Sequence, residues 1–240
     1  MKFKKKLAVL LASTLAISTA LVGCSSTGGD SSGGVEINVN VGPEPATIDP
    51  AKNSAVDGAT LINHAFEGLM KLDKDNKIVE GQAAKYEVNK DETVYTFTLR
   101  DDAKWSDGEP VKAEDFVYSW QRLVNPKTGA DYNYMIDMVK NANEIMAGKK
   151  KPEELGIKAL DEKTVEVTLA TPTPYFLEVC AFPATFPVRK DVVEANADTW
   201  STDPKTYIGN GPYVLKEWEH QAKMTYVKNE NYYDLDKLGP

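Results

Sequence analysis

The chain contains little of what disulfides, metal sites and catalytic triads are built from. Its 240 residues include two cysteines and two histidines, and no His/Cys pair has zinc-ligand spacing. No G-x-S-x-G elbow occurs, so a serine hydrolase has no motif to support it. These scarcities predict a protein that is not an enzyme and that holds no metal or other cofactor.

A surplus of basic residues is also missing. The sequence has 36 acidic and 28 basic residues, which gives a formal net charge of −8. Nucleic-acid binding needs a basic surface that neutralises phosphates, so we expect no nucleic-acid partner. The acidic balance chiefly favours solubility, and an acidic cleft that attracts cationic peptides is the alternative.

No hydrophobic run is long enough for a comfortable transmembrane helix. The longest candidate, Leu7–Val22, has sixteen residues and is diluted by serine and threonine, whereas a span needs about 20. Lysines precede this run, and Leu21-Val22-Gly23-Cys24 follows it and resembles the bacterial lipoprotein box. We therefore interpret residues 1–23 as a lipoprotein signal peptide and Cys24 as the site of lipid attachment.

This interpretation predicts an extracytoplasmic protein held on the bacterial cell membrane through the lipid on Cys24, since two acyl chains anchor durably. The alternative is an ordinary cleaved signal with an incidental cysteine. Residues 24–34 are rich in Gly and Ser and read as a flexible tether. The second cysteine, Cys180, lies in an apolar run and is expected to be a small buried thiol.

Short strand and helix patterns fill the rest of the chain. Tyr95, Phe97 and Leu99 alternate with polar residues, which predicts a half-buried strand over 93–100. Asp107-Gly108 then predicts a turn, and helical spacing predicts a helix that ends before Asn125-Pro126. Asp101 and Asp102 are expected to be a solvated pair, and Glu114 and Asp115 to be acids in the first turn of this helix.

The remaining patterns predict a mixed α/β (α+β) fold. Alternation predicts a first strand over 35–41, and apolar spacing predicts helices over 59–69, 132–146 and 190–197. Gly68 is expected to mark the end of the first of these helices. Paired strands are expected at 69–72 with 78–79, 86–88 with 93–100, 157–160 with 164–169, and 213–218 with 223–228.

Aromatic residues are numerous for a chain of this size. Most should pack in the core or at its rim, but a few could line a ligand groove, because tyrosine offers a flat apolar face and a hydroxyl. The candidates are Tyr118, Trp120, Tyr132, Tyr134, Tyr175, Trp200, Tyr207, Tyr213 and Trp218.

Several segments together resemble a known family. LRDDAKWSDGEPV at 99–111, EDFVYSWQR at 114–122, Asp49-Pro50, Phe66-Glu67-Gly68-Leu69 and Asn210-Gly211 are similar to the extracytoplasmic solute-binding proteins of family 5. Within that family the pattern is most similar to the oligopeptide-binding lipoproteins of ATP-binding-cassette importers. The resemblance implies a type II periplasmic-binding-protein-like fold and a monomer that captures extended oligopeptides for a membrane permease.

The resemblance also implies a domain organisation. Residues 67–187 would form a small inserted lobe, and residues 35–66 with 188–240 would form an incomplete main lobe. Relatives run to more than twice this length and continue into a second ligand-gripping lobe. We therefore expect this sequence to be the N-terminal part of such a protein.

The ligand-binding residues implied by the resemblance are Ser54, Ala55, Val56 and Tyr132. The first three follow the Asp-Pro pair, and Tyr132 follows the Asn-Pro stop. The family pattern has a carboxylate where this chain has Ser54, which removes a charged contact to the ligand.

Other functions remain open at this stage. A peptide-pheromone receptor or an adhesin-type surface lipoprotein would use the same groove. A dipeptide-, nickel- or haem-binding member of the family is a further alternative. An exported hydrolase would have to cleave a peptide that the other candidates leave intact.

Overall fold

A four-stranded antiparallel sheet and a long amphipathic helix lie at the centre of the fold. The protein is described by a computed structural model, which covers residues 35–197 and 199–239. The strands are β1 (Met70–Leu72), β2 (Ile78–Glu80), β3 (Ala83–Val88), β4 (Val94–Leu99), β5 (Ile157–Ala159), β6 (Thr164–Thr168), β7 (Tyr213–Glu219) and β8 (Lys223–Lys228). The central sheet has the order β3-β4-β6-β5, and β1-β2 and β7-β8 form separate antiparallel pairs.

Five α-helices and several single 3₁₀ turns accompany the strands in the described residues. The helices are α1 (Val56–Ala65), α2 (Ala113–Val124), α3 (Ala142–Met146), α4 (Phe176–Val179) and α5 (Lys190–Ala195). The 3₁₀ turns are Pro126–Thr128, Asn133–Ile136, Pro152–Glu154, Pro183–Thr185 and Leu235–Lys237. The mixed α/β class predicted from the sequence is confirmed.

Strand β4 behaves as its alternation predicts. Tyr95, Phe97 and Leu99 are buried, while the residues between them are partly exposed. Phe176 of α4 packs against this face, with its ring 4.7 Å from that of Tyr95 and edge-on to Trp120 of α2. The apolar faces of β4, α2 and α4 therefore share one core, which stabilises the fold chiefly by removing large rings from water.

Helix α2 begins and packs through specific polar contacts. The Asp115 carboxylate accepts hydrogen bonds from the Lys112 backbone N–H at 2.9 Å and from Trp105 Nε1 at 3.2 Å. Burial raises the pKa of Asp115, and these two donors oppose the rise. Glu114 and Asp115 lie in the first turn of α2, as predicted. Asp115 also serves as the acceptor that the indole N–H of the fully buried Trp105 needs.

Helix α1 lies against β7, and the backbone of residues 209–211 approaches the end of the helix closely. The Gly211 N–H donates to the Ala65 carbonyl oxygen at 2.8 Å, and a Cβ on Gly209 or Gly211 would overlap the backbone of Ala65. Between them, the Asn210 side chain bonds both the N–H and the C=O of Glu67. Asn210-Gly211 therefore joins the end of α1 to the start of the β7-β8 hairpin.

Two element predictions are wrong, and the bounds of a third element are shifted. Residues 35–41 form no strand, and Val35, Ile37, Val39 and Val41 are all exposed, since within the described residues no second strand pairs with them. The helix predicted over 59–69 spans Val56–Ala65 instead. Gly68 lies beyond the end of this helix and does not cap it. A Cβ at this position would overlap the carbonyl oxygen of Cys180, which explains why the residue is a glycine.

The helix predicted over 132–146 is also wrong. The segment contains a 3₁₀ turn at Asn133–Ile136, a β-bridge from Val139 to Leu169, and the short helix α3. Asn141 adopts a left-handed conformation with φ of 69°, which interrupts any continuous helix. The hairpin predictions are confirmed.

All helices and strands described here belong to one unit, Val39–Gly239. The division into lobes 35–66 plus 188–240 and 67–187 stays a prediction. Across residues 35–197 and 199–239, every helix is too short or too polar to pass through a lipid bilayer. The signal peptide, Cys24 and the tether lie outside the described residues.

Candidate functional site

The residues singled out by the sequence as ligand-binding lie on one surface. Ser54, Ala55 and Val56 form the exposed entry to α1, and Val56 is 84% exposed. The Ser54 hydroxyl donates a hydrogen bond to Asp131 Oδ2 at 3.1 Å, across 77 residues of sequence. Because Asp131 directly precedes Tyr132, this contact brings the two predicted segments side by side.

Tyr132 is half-buried and belongs to an aromatic group. Its ring centroid lies 5.7 Å from that of Phe182 and 5.8 Å from that of Tyr134. Tyr132 also precedes the 3₁₀ turn Asn133–Ile136, which fixes the direction of both tyrosines. Because Phe182 directly precedes the 3₁₀ turn Pro183–Thr185, the aromatic group links the two turns.

An open cleft of about 420 Å³ continues from this group. We call it the aromatic cleft; its lining residues are Tyr134, Met135, Asp137, Met138, Tyr175, Glu178, Val179 and Phe182. Tyr134 and Tyr175 are 54% and 56% exposed, so both rings remain available to a ligand. A neighbouring depression shares Asp137, Met138 and Tyr175 with the aromatic cleft.

The sequence identified only part of this cleft. Tyr134 and Tyr175 were among the aromatic candidates, whereas Trp120, Trp200 and Tyr207 are buried in the core. Met135, Met138 and Phe182 were missed. Phe182 is the last residue of an apolar run and directly precedes Pro183. The proline was the one sequence signal that the run turns toward the surface at this point.

Carboxylates rim the cleft and its neighbour. Asp137 and Glu178 line it and are exposed, and the exposed Asp131, which accepts the hydrogen bond from Ser54, directly precedes Tyr132. Within the described part of the chain, none of the three forms an ion pair with a lysine, arginine or histidine. The surface thus combines apolar rings with negative charges that are not neutralised locally.

Other polar groups are used within the fold and face no cleft. The Glu67 carboxylate accepts hydrogen bonds from Gln82, Tyr232 and Tyr233 and pairs with Lys71 at 3.1 Å. Both tyrosines have pKa values well above the ordinary value, first because of burial and then because of the Glu67 charge. Glu67 is therefore a buried structural anion.

The thiol of Cys180 is fully buried, as predicted, and burial raises its pKa well above the ordinary value. A thiol that stays protonated is a poor nucleophile and a poor metal ligand. Among residues 35–197 and 199–239, no group of three His, Cys, Asp or Glu side chains is close enough to hold a metal ion. The open surface is therefore suited to binding through apolar and electrostatic contacts.

Known proteins are similar to this chain in sequence and in fold. The oligopeptide-binding protein OppA of Bacillus subtilis is 36% identical over 236 residues, covering 96% of this chain and 43% of that protein. The periplasmic oligopeptide-binding protein OppA of Salmonella typhimurium is 41% identical, covering 92% of this chain and 42% of that protein. The structure of Listeria monocytogenes OppA bound to peptide is 45% identical in sequence and has a TM-score of 0.80. The match covers 82% of this chain and 39% of that one.

This chain therefore spans less than half the length of these relatives. The predicted periplasmic-binding-protein-like fold is confirmed over the part that matches. The family model for bacterial extracellular solute-binding proteins, family 5 Middle, matches residues 77–239, which is more than half of the chain. That family consists of binding proteins, not enzymes. The chain belongs to the bacterial extracellular solute-binding proteins of family 5.

Proposed function

We propose that this chain is part of a protein that captures oligopeptides outside the cytoplasm and delivers them to the permease of an ATP-binding-cassette importer. The observation that carries the proposal is the hydrogen bond from Ser54 to Asp131, which joins the surface of 54–56 to that of Tyr132. Support comes from relatives at 36% to 45% identity that are named oligopeptide-binding proteins or solved with peptide.

Ser54, Ala55, Val56 and Tyr132 are the proposed ligand contacts. The exposed backbone at 54–56 can pair with an extended peptide as an added strand would, which reads main chain and not side chains. The Tyr132 ring supplies flat apolar area at a low cost in side-chain entropy. Both kinds of contact tolerate many peptide sequences.

Isothermal titration calorimetry of the full-length protein that contains this chain, with a mixture of short peptides, tests the binding step. We expect saturable binding that Tyr132→Ala weakens about tenfold or more, since a buried aromatic contact is typically a strong contributor. Tyr132→Phe should retain most of the affinity because it keeps the ring. Tyr86→Ala, which removes a partly buried tyrosine packed against Phe97, controls for a general loss of packing.

Peptide recovered intact after incubation would agree with capture, whereas cleaved peptide would indicate the hydrolase alternative. Absence of binding by the wild-type full-length protein would contradict the proposal. The delivery step is tested separately. Disrupting the gene should lower uptake of labelled peptide by cells, and unchanged uptake would favour a receptor or adhesin that passes nothing to a transporter.

We further propose that the protein is monomeric and is held on the membrane by lipid on Cys24. The support is the Leu21-Val22-Gly23-Cys24 sequence that follows the basic and apolar segments. Cells fed an alkyne-labelled fatty acid should incorporate label into the wild type, and the protein should sediment with membranes. Cys24→Ala should remove the label, while Cys180→Ala, at the buried thiol, should retain it.

A further inference from the structure

We propose that the aromatic cleft receives a lysine or arginine side chain, so that the protein prefers cationic peptides. The inference rests on the proposed function, since it names the ligand class of the same surface. It concerns the cleft formed by the turn at Asn133–Ile136 and helix α4, beside the predicted contact Tyr132.

The walls of the cleft fit the stem of such a side chain. Met135, Met138 and Val179 contribute apolar surface, and a volume of about 420 Å³ accommodates several methylene groups. Lysine and arginine bury their methylene stems along apolar surface while their charged heads stay near water. The open mouth of the cleft permits that arrangement.

The aromatic residues fit the charged head. Tyr134 and Tyr175 both line the cleft and keep more than half of their surface exposed. A cation near the face of a tyrosine ring gains about 0.5–1 kcal/mol at exposed sites. An arginine could in addition stack its planar group on either ring.

Charge complementarity decides between a cationic and a neutral occupant. Asp137 and Glu178 line the cleft, while no lysine, arginine or histidine is among its lining residues. Within the described ranges, neither carboxylate has a cationic partner of its own. The Asp137 N–H donates a hydrogen bond to the Tyr134 carbonyl oxygen at 3.1 Å, which closes the turn between these two lining residues.

Methionine methyl groups provide a local probe of this site. Met135 and Met138 line the cleft, whereas Met70 and Met224 do not. In the 240-residue chain labelled with ¹³C-methyl methionine, the tripeptides Ala-Lys-Ala and Ala-norleucine-Ala are compared by NMR titration. The two side chains have closely similar length, and only lysine carries a charge.

We expect both peptides to shift the Met135 and Met138 methyl signals and to leave those of Met70 and Met224 in place. The lysine peptide should bind about tenfold more tightly, from the combined ring and carboxylate contacts. The double variant Asp137→Asn/Glu178→Gln should reduce this ratio to about twofold. Glu230→Gln, which removes an exposed carboxylate outside the cleft, should leave the ratio unchanged.

The outcomes separate this inference from the proposed function. If both peptides bind with equal affinity, or if Glu230→Gln lowers the ratio as much as the double variant does, the cationic preference of the cleft is overturned and peptide capture stands. If binding moves only the Met70 or Met224 signals, the location is overturned. If neither peptide binds and calorimetry with mixed peptides is also negative, the proposed function fails and the inference fails with it.

Discussion

The guanidinium of Arg122 forms a two-point ion pair with the carboxylate of Asp49, across 73 residues of sequence. Their side chains are 12% and 2% exposed, and Asp49 also accepts the Ala51 N–H at 3.0 Å. Two of the segments that carried the family resemblance, Asp49-Pro50 and the helix α2, are therefore in direct contact. The ion pair holds the segment that precedes α1 against helix α2.

Removing one partner of this pair should strongly destabilise the protein. Asp49→Asn leaves the Arg122 charge nearly buried without its counter-charge, which typically costs about 3–5 kcal/mol. Urea unfolding followed by tryptophan fluorescence measures the loss. Glu87→Gln, at the exposed pair with Lys85, is the matched control and should change the free energy of unfolding by less than about 1 kcal/mol.

A double variant separates charge burial from packing. Asp49→Asn/Arg122→Leu removes both charges, so it should be less destabilised than the sum of the two single variants. Simple additivity of the single variants would mean that the two side chains act independently and would contradict the ion-pair account.

The contacts of Glu67 make a second stability prediction. Tyr232 and Tyr233 donate hydrogen bonds to the Glu67 carboxylate at 2.5 Å and 2.6 Å, and its side chain is 7% exposed. Tyr232→Phe removes one donor to a buried charge and should cost about 1.5–3 kcal/mol in urea unfolding. Tyr175→Phe is the control, because it removes a hydroxyl from an exposed ring; an equal loss in both variants would contradict the prediction.

Gly209 gives a prediction about backbone approach. A Cβ there would overlap the Ala65 carbonyl oxygen, which cannot move without disturbing the end of α1. Gly209→Ala should therefore lower the free energy of unfolding by at least about 2 kcal/mol. Gly239→Ala meets no atom within 4 Å and should be nearly neutral, so comparable losses in the two variants would exclude this explanation.

Local patterns predicted local structure well. The period-two alternation through Tyr95, Phe97 and Leu99 gave β4, and the turn residues gave all four hairpins. Helical periodicity failed at 132–146 because apolar residues of a turn, a bridge and a short helix all face the same core. At 35–41 the alternation was real, but a strand also needs a neighbouring chain to pair with.

Long-range contacts could not be obtained from the residues alone. The ion pair of Asp49 with Arg122 and the hydrogen bond of Ser54 with Asp131 join distant segments, and charge spacing along a sequence does not reveal such pairs. Only the family resemblance suggested that 54–56 and Tyr132 belong to one site.

The last prediction concerns acid stability at Glu44. Its carboxylate accepts hydrogen bonds from Trp218 Nε1 at 2.9 Å and the Gln221 N–H at 2.7 Å, and His220 Nδ1 lies 2.5 Å from Oε1. The hydrogen bond with His220 is the main reason that the pKa of Glu44 lies below its ordinary value of 4.5. A carboxylate with a lowered pKa stabilises the folded state when ionised.

This stabilisation should be complete above pH 4.5 and should disappear as the pH falls through the lowered pKa of Glu44. The difference in urea midpoint between wild type and Glu44→Gln should therefore shrink between about pH 6 and pH 3. His220→Ala should bring the Glu44 pKa back toward its ordinary value, so that the loss becomes smaller and ends at a higher pH. A difference between wild type and Glu44→Gln that stays constant with pH would show that Glu44 acts by packing alone.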